Sequence, residues 1–150
     1  MDMTWITDRL AVGGGIWTDE NMQQIVRAGI THIIDMQVEF DDTAIAEPYG
    51  VEVLWLAVDD DFKPKPAEIF QRGADFALRA LDEPNGKLYV HCAAGVHRGP
   101  MMTLAVLRVL GWSVEDAIAV VEERRPVVDF AEVYVRSVED FMRTYAAAER

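Results

Sequence analysis

The fold is decided by the stretch Leu88-Tyr89-Val90-His91-Cys92-Ala93-Ala94-Gly95-Val96-His97-Arg98-Gly99-Pro100. It begins as a short apolar strand, continues as a tight loop, and ends where a nearly all-apolar helix begins. The only cysteine of the chain ends the strand, and an arginine follows six positions later. This order predicts that a thiol and a cation lie at the two ends of one loop, next to the N-terminus of a helix.

The loop has the properties of an anion site. A helix N-terminus leaves backbone N–H groups unpaired, and its dipole favours negative charge. Gly95 lets the backbone curl around a ligand, because glycine adopts a positive φ without strain. Arg98 adds a planar fork suited to two phosphate oxygens, and the same positive field favours the nucleophilic thiolate of Cys92. The predicted phosphate-binding residues are Ala93, Ala94, Gly95, Val96, His97 and Arg98.

Two other interpretations of this stretch must be weighed. A single cysteine at the end of an apolar strand is most often a small buried hydrophobe. The presence of His91, Gly95 and Arg98 around Cys92 argues against that interpretation. The other interpretation is a different cysteine-centred loop enzyme, a rhodanese-like sulfurtransferase or an arsenate reductase, and the flanking chain argues against both.

Composition narrows the possible functions. A chain of 150 residues is expected to form one domain, residues 1–150, large enough to fold without disulfides or metal. One cysteine permits no internal disulfide, which favours a reducing cytoplasm. The scattered histidines give no zinc-ligand pattern, so we expect no metal and no cofactor. A net charge of −12 opposes binding to nucleic acid or an anionic membrane surface, and no apolar stretch has the length of a membrane span.

Strands and helices alternate along the chain. Apolar runs at residues 5–12, 30–36 and 51–58, and a run from Leu88 that ends at Cys92, predict strands, the third of them covered on both faces. Helical spacing of apolar residues predicts helices after Thr18, over residues 67–81, after Pro100, after Ser113 and from about Phe130. The expected fold class is therefore α/β: a central, mostly parallel sheet of four to five strands with helices on both faces.

With these segments in order, the chain from Ile6 to Tyr145 resembles a small, atypical dual-specificity phosphatase of the Cys-x5-Arg protein tyrosine phosphatase superfamily. The loop from Cys92 to Arg98 carries that superfamily's signature. The opening Ile6-Thr7-Asp8-Arg9-Leu10-Ala11-Val12-Gly13-Gly14 is similar to the family's first strand and turn, and Gly29-Ile30-Thr31-His32-Ile33-Ile34-Asp35 to the strand after its first helix. This ordered match distinguishes the chain from the sulfurtransferases.

The resemblance implies roles for individual residues. Cys92 would be the nucleophile, Arg98 would hold the phosphate, and an aspartate would be the general acid. An ungapped count back from the helix of Phe70 places the family's acid on Asp60. Its neighbours Asp59 and Asp61 are then expected to be loop or capping residues, although either remains a candidate.

Supporting roles are also implied, and the chain departs from the family at two points. His91 is expected to be structural, and His97 either fills the loop or favours phosphate. Gly99 replaces the family's Ser or Thr after the arginine, which puts the speed of the second step in question. Arg125 matches a family arginine near the last helix but lacks the asparagine that usually follows. It is equally well interpreted as an ordinary cation at a helix C-terminus.

The predicted activity is hydrolysis of phosphate monoesters through a phosphocysteine. The expected substrate is a phosphorylated protein, on phosphotyrosine and also on phosphoserine or phosphothreonine. The loop contains no lysine, which disfavours inositol phosphates. A nucleotide, an RNA 5′-phosphate or a small phosphate ester remains an alternative, as does a phosphate-binding or slow-turnover pseudophosphatase module, which Gly99 favours.

Overall fold

The computed structural model describes residues 1–148, and the side chains as far as residue 145. Its strands are β1 (Met3–Trp5), β2 (Leu10–Gly13), β3 (His32–Gln37), β4 (Glu52–Val58) and β5 (Leu88–His91). Its α-helices are α1 (Asp19–Arg27), α2 (Thr43–Ala46), α3 (Ala67–Asp82), α4 (Arg98–Val109), α5 (Val114–Arg124) and α6 (Glu132–Ala148), and a 3₁₀ turn spans Glu47–Tyr49.

The strands form one five-stranded sheet in the order β1-β2-β5-β3-β4. β1 is antiparallel to β2, whereas β2, β5, β3 and β4 run parallel. β5 is central: Val90 pairs with Val12 on one side and with Ile34 on the other. The predicted class, a single α/β domain with a mostly parallel sheet, is confirmed.

Helices cover both faces of the sheet. On one face, Val12, Ile34 and Val90 pack in a core with α3, α4, α5 and α6. On the other face, Ala11, Ile33 and Tyr89 pack with α1 and α2. Successive strand residues point to opposite faces, so a continuous apolar run supplies both cores.

Two details of the predicted strands were wrong. The segment 5–12 was expected to be one strand, but Ile6 bonds back to the carbonyl of Leu10, and a turn separates β1 from β2. β4 was expected to be covered on both faces, yet Trp55 is 43% exposed. β4 is an edge strand, and apolar periodicity does not distinguish an edge from a centre.

The topology brings several loops together at one edge. β2, β3, β4 and β5 are parallel, so their carboxyl ends lie at the same edge of the sheet, where open α/β sheets bind ligands. The loop after β5 begins at Cys92 and leads into α4. Within residues 1–148, no helix combines the length and apolar character that crossing a membrane requires.

Candidate active site

The backbone of the loop after β5 depends on one glycine. Gly95 has φ +69°, a conformation that side chains disfavour. An added Cβ would also lie 2.5 Å from Nη2 of Arg125 and 2.6 Å from the carbonyl carbon of Gly13. Both constraints require glycine here, as the sequence predicted.

Every backbone carbonyl from Cys92 to His97 is bonded to a donor in the surrounding protein. The donors are Nδ1 of His91 for Cys92, N of Gly15 for Ala93, the guanidinium of Arg125 for Ala94 and Gly95, N of Asp129 for Val96, and N of Met101 for His97. By contrast, the N–H groups of Ala93 to His97 donate to no acceptor in the described part of the chain. The loop therefore keeps a set of donors available to an oxyanion.

Arg98 is held in a fixed orientation beside this loop. Its Nη1 and Nη2 each donate to a carboxylate oxygen of Glu39 at 2.8 Å, and Nη1 also donates to the carbonyl of Val58 at 3.0 Å. Glu39 lies on the loop after β3, and its hydrogen bonds from Arg98 lower its pKa to about 2. The Nε of Arg98 is buried and has no hydrogen-bond partner among the described residues. A buried N–H without an acceptor is costly, so this one is suited to a ligand oxygen.

Arg125 supports the loop from the side opposite the predicted ligand. It lies directly after α5 and is only 4% exposed. Its Nε donates to Gly95 O at 2.9 Å, and its Nη2 to Ala94 O at 3.2 Å. Asp2 completes the arrangement by accepting from both Nη atoms, at 2.8 and 2.7 Å. Arg125, at the C-terminal end of α5, is thus buried and bonded to the loop, which favours the supporting role over that of an ordinary helix-end cation.

Asp60, the predicted acid, lies beside the end of the loop after β5. Its Oδ2 is 2.9 Å from Nδ1 of His97, and its Oδ1 accepts from the hydroxyl of Tyr134 at 2.9 Å. The charge of Asp60 is close enough to Arg98 to help raise the pKa of that guanidinium, after the larger effect of its hydrogen bonds to Glu39. The structure thus brings together Asp60, the loop and Arg98.

The two neighbouring aspartates have other surroundings. Asp61 accepts from Nζ of Lys65 at 2.6 Å and from N of Lys63 at 3.1 Å. These bonds lower its pKa and are those of a turn-capping carboxylate. Asp59 is exposed.

Behind Cys92, a buried set of ionisable groups holds His91. The Nε2 of His91 is 2.5 Å from Oδ2 of Asp42, and its Nδ1 bonds to the carbonyl of Cys92. Burial opposes a charge on His91, but Asp42 and Asp35 outweigh it and raise its pKa. Burial also raises the pKa of Asp35 to about 7. These contacts fix the orientation of the His91 ring, and its structural role stays a prediction.

Gly99 lies in the first turn of α4, directly against the cysteine. A Cβ at this position would lie 3.4 Å from Sγ of Cys92 and 3.3 Å from Cys92 N and His91 Cα. A serine hydroxyl here would therefore be adjacent to the sulfur, at the cost of a tight contact with the backbone before it.

Sequence reasoning missed several residues of this site. Glu39, Asp42, Tyr134, Asp129 and Asp2 all contact groups that it did find. For Glu39 and Asp42 the acidic character of residues 37–50 was a signal, but it did not indicate which carboxylate faces which partner.

In the part of the chain that the structure describes, two clusters of imidazole and carboxylate groups lie close enough to be considered as metal ligands. Asp35, Asp42 and His91 form a buried one, but there the imidazole Nε2 and an Asp42 oxygen already bond to each other. His32, Glu52 and Glu83 form the other, and Arg79 lies 3.9 Å from the Glu52 carboxylate. Neither includes the loop after Cys92.

A cysteine at the carboxyl end of a central parallel strand, an oxyanion loop and an arginine at the following helix define the class of cysteine-dependent phosphatases. Residues 15–144 match the family "Dual specificity phosphatase, catalytic domain", so the chain belongs to that family.

Known proteins similar to this chain agree with that assignment. It is 33% identical over 111 residues to dual specificity protein phosphatase 26 of Rattus norvegicus and of Homo sapiens. The matched region covers 72% of this chain but 53% of each relative, so the chain spans about half their length.

Solved structures agree on the fold. PTPMT1 in complex with PI(5)P superposes with a TM-score of 0.87 at 21% identity, covering 100% of both chains. Human DUSP28 superposes with a TM-score of 0.82 at 20% identity, covering 97% of this chain and 96% of that one. At such identities the likeness concerns the fold alone.

Proposed function

We propose that residues 1–150 act as one catalytic domain that hydrolyses phosphate monoesters through a phosphocysteine intermediate. One observation carries the proposal: the loop after Cys92 directs its carbonyls to outside donors, while its N–H groups and Nε of Arg98 have no acceptor among the described residues. A phosphate dianion satisfies these donors, because its oxygens accept several hydrogen bonds at once.

The proposed reaction has two steps. In the first, the Cys92 thiolate attacks phosphorus, the bond to the leaving oxygen breaks, and Asp60 donates its proton to that oxygen. In the second, Asp60 takes a proton from water, the water oxygen attacks phosphorus, and the S–P bond breaks. Arg98 and the loop N–H groups hold the phosphoryl oxygens throughout, so catalysis is positioning plus electrostatic stabilisation.

The proposed substrate is a phosphorylated protein, with phosphotyrosine first and phosphoserine or phosphothreonine second. The loop contains no lysine and the chain carries a net charge of −12, both of which disfavour a polyphosphorylated ligand. The structural neighbour PTPMT1 was solved with PI(5)P, so this lipid belongs in the same substrate comparison. A reducing cytoplasm is the proposed compartment, because it keeps Cys92 a free thiol.

A slow-turnover phosphate-binding protein is the second candidate. Gly99 favours it, since no hydroxyl is present at the position adjacent to Sγ of Cys92. The two candidates differ in the rate of the second step and not in the site.

The test compares the wild type with Cys92→Ser. We expect the wild type to hydrolyse p-nitrophenyl phosphate, and the variant to lose turnover while still binding vanadate, because the loop donors and Arg98 remain. Thiosulfate is the control substrate for sulfur transfer. Turnover that survives in Cys92→Ser would contradict the nucleophile.

Substrate class is tested in the same assay with phosphate release from matched compounds. The arms are a phosphotyrosine peptide, a phosphothreonine peptide, PI(5)P, a nucleoside monophosphate and an RNA 5′-phosphate. We expect the highest kcat/KM on the phosphotyrosine peptide. A higher kcat/KM on PI(5)P or RNA would overturn the proposed substrate but not the mechanism.

A further inference from the structure

His32, the first residue of β3, has a buried side-chain nitrogen without a partner. The residue is 3% exposed, and its Nε2 makes no hydrogen bond within the described part of the chain. Buried polar atoms are nearly always paired, so an unpaired one requires an explanation. The active site does not supply it, because β3 begins at the edge of the sheet opposite to the one that carries Cys92.

Two carboxylates face this nitrogen. Oε2 of Glu52 lies 3.9 Å from Nε2 of His32, and Oε1 of Glu83 lies 3.7 Å from it. Both distances are too long for a hydrogen bond, and the three ligand atoms lie within 4.8 Å of one another. On a tetrahedral zinc ion with bonds of about 2.0–2.2 Å, neighbouring ligand atoms are about 3.3–3.6 Å apart. The two glutamates are more than half exposed, so their side chains are able to close the difference.

The three ligands come from three elements of the fold. His32 and Glu52 are paired neighbours at the starts of the parallel strands β3 and β4. Glu83 follows directly after α3, where its N–H donates to the carbonyl of Ala80 and its own carbonyl accepts from Arg9 at 2.6 Å. An ion between the three side chains would join the end of α3 to the starts of both strands. Because these positions are far apart along the chain, no spacing in the sequence indicated a metal.

The imidazole of His32 is oriented from its other side. Its Nδ1 lies 2.7 Å from Oγ1 of Thr31, and the ring meets that of Phe76 edge-on at 5.5 Å between centroids. Thr31 Oγ1 also accepts from the N–H of Lys87 at 3.0 Å and lies 3.2 Å from its carbonyl oxygen. If the hydroxyl donates to that carbonyl, its oxygen accepts the proton of Nδ1, and Nε2 keeps a lone pair. The surroundings therefore accommodate the tautomer that a metal on Nε2 requires.

The charge around this cluster is mixed. The chain carries a net charge of −12, and two of its carboxylates meet here. The nearby cation is Arg79, whose Nη1 is 3.9 Å from Oε2 of Glu52, longer than a hydrogen bond. Its side chain is 67% exposed, so its attraction to Glu52 is weakened by solvent and it is free to move away.

We propose that Nε2 of His32 and the carboxylates of Glu52 and Glu83 bind one Zn²⁺ ion, which stabilises the folded domain, with water as the fourth ligand. One imidazole with two carboxylates suits Zn²⁺ better than Mg²⁺ or Ca²⁺, which prefer oxygen ligands alone. A proton and the ion compete for the same lone pair, so binding displaces any proton on Nε2. The inference does not rest on the proposed function, since no ligand belongs to the loop after β5.

The test measures Zn²⁺ binding by calorimetry on the chelator-treated full chain carrying Cys92→Ser, which removes the thiol as a ligand. We expect one ion per chain, tighter than Mg²⁺, and a Tm that rises with Zn²⁺ because the ion binds the folded state. Glu52→Gln and Glu83→Gln should each raise Kd by at least about tenfold, since even the loss of an outer-shell partner costs about 10- to 100-fold. Glu68→Gln makes the same charge change at an exposed position at the other end of α3 and should leave Kd unchanged.

A second pair of variants changes the affinity in the opposite direction. Arg79→Gln removes the cation beside Glu52 and should lower Kd by up to about fivefold. Arg72→Gln is its control, because it removes the same charge from another exposed position on α3. A role of the cluster in folding alone would not make Arg79→Gln bind the ion more tightly.

Imidazole ¹⁵N NMR locates the ion. Zn²⁺ should shift the Nε2 resonance of His32 and leave those of His91 and His97 in place. Each of three results would overturn the inference: no saturable Zn²⁺ binding, equal affinity for Mg²⁺, or a Kd that both glutamine variants leave unchanged. The first would leave His32 as an ion-pair partner of the two carboxylates. Loss of Zn²⁺ binding in His97→Ala would place the ion at the active site and would also overturn it.

Discussion

Glu39 and Arg98, 59 positions apart, are joined by two hydrogen bonds of 2.8 Å between one carboxylate and one guanidinium. This bidentate pair uses Nη1 and Nη2, and Nε has no hydrogen-bond partner among the described residues. Glu39 thus orients the cation that the proposed mechanism places on the phosphate. Asp42, which follows Glu39 by three positions, bonds to Nε2 of His91, the residue directly before Cys92.

We expect Glu39→Gln to lower kcat/KM for p-nitrophenyl phosphate by about tenfold, because an amide offers one acceptor and no charge to the guanidinium. Glu47→Gln is the matched control: it removes the same charge from an exposed position on the following 3₁₀ turn. Equal rates in the two variants would mean that the pair does not orient Arg98.

The same pair has a pH signature in stability. The pKa of Glu39 is lowered from 4.5 to about 2 by its bonds to Arg98, so the folded state holds the proton less tightly than the unfolded chain. The stabilisation is full above pH 4.5 and is lost as the pH falls towards 2. Glu39→Gln should lack this part of the acid destabilisation, which thermal unfolding between pH 5 and 2.5 measures.

Asp60→Asn should reduce kcat most for phenyl phosphate, by about 10²-fold or more, because a poor leaving group needs the proton. It should also remove the basic limb of the pH–rate profile, since that limb reports loss of the acid's proton. Asp61→Asn and Asp59→Asn carry the same charge change at adjacent positions and should have mild effects. A larger loss in either control would assign the acid to that residue instead.

Asp35→Asn tests the buried groups behind the cysteine. The pKa of Asp35 is raised from 3.8 to about 7 by burial, so the folded protein binds its proton more tightly than the unfolded chain. Stability from this group is present below about pH 4 and is lost as the pH rises to about 7. Asparagine does not titrate, so the Tm of Asp35→Asn should rise relative to the Tm of the wild type as the pH increases from 5 to 8. Asp75→Asn, an exposed site on α3, should show no such trend.

Much of the fold and the centre of the site could be predicted from local sequence. Cys92 and Arg98 belong to one strand–loop–helix unit. Their short separation in the sequence therefore already places them close together in space. The start of α1 was likewise predictable, because the Thr18 side chain accepts from the N–H of Asn21 in the first turn of that helix.

The residues that orient the site could not be found in this way. Glu39 meets Arg98, and Asp2 meets Arg125, 123 positions apart, only after the sheet has assembled. A carboxylate on an acidic chain has many possible partners, and no periodicity distinguishes them. The role of Arg125 was left open for the same reason. The sequence around an arginine at a helix end does not show whether its side chain points into the protein or into solvent.

Gly99 gives a prediction about the second chemical step, when negative charge returns to the sulfur of Cys92. A hydroxyl donating to that sulfur would stabilise the leaving thiolate by about 1.5–3 kcal/mol. Its absence should slow dephosphorylation by roughly 10- to 150-fold, at about 1.36 kcal/mol for each factor of ten. The first step should be affected less, because there the sulfur loses charge. We therefore expect a rapid burst of p-nitrophenol, a slow steady state, and phosphocysteine visible by mass spectrometry.

Gly99→Ser should raise the steady-state rate and shrink the burst, because its Cβ would lie 3.4 Å from the sulfur and bring the hydroxyl within reach. The same Cβ would lie 3.3 Å from the backbone of His91 and Cys92, so crowding opposes the gain. Gly99→Ala separates the two effects, since it carries the crowding without the hydroxyl. The rate of Ser relative to Ala then measures the hydroxyl alone.

A wild type without a burst, and a serine variant no faster than the alanine one, would show that some other donor already stabilises the departing thiolate. Thr103, a buried residue one turn further along α4 whose hydroxyl lacks a partner in the described chain, is then the group to substitute.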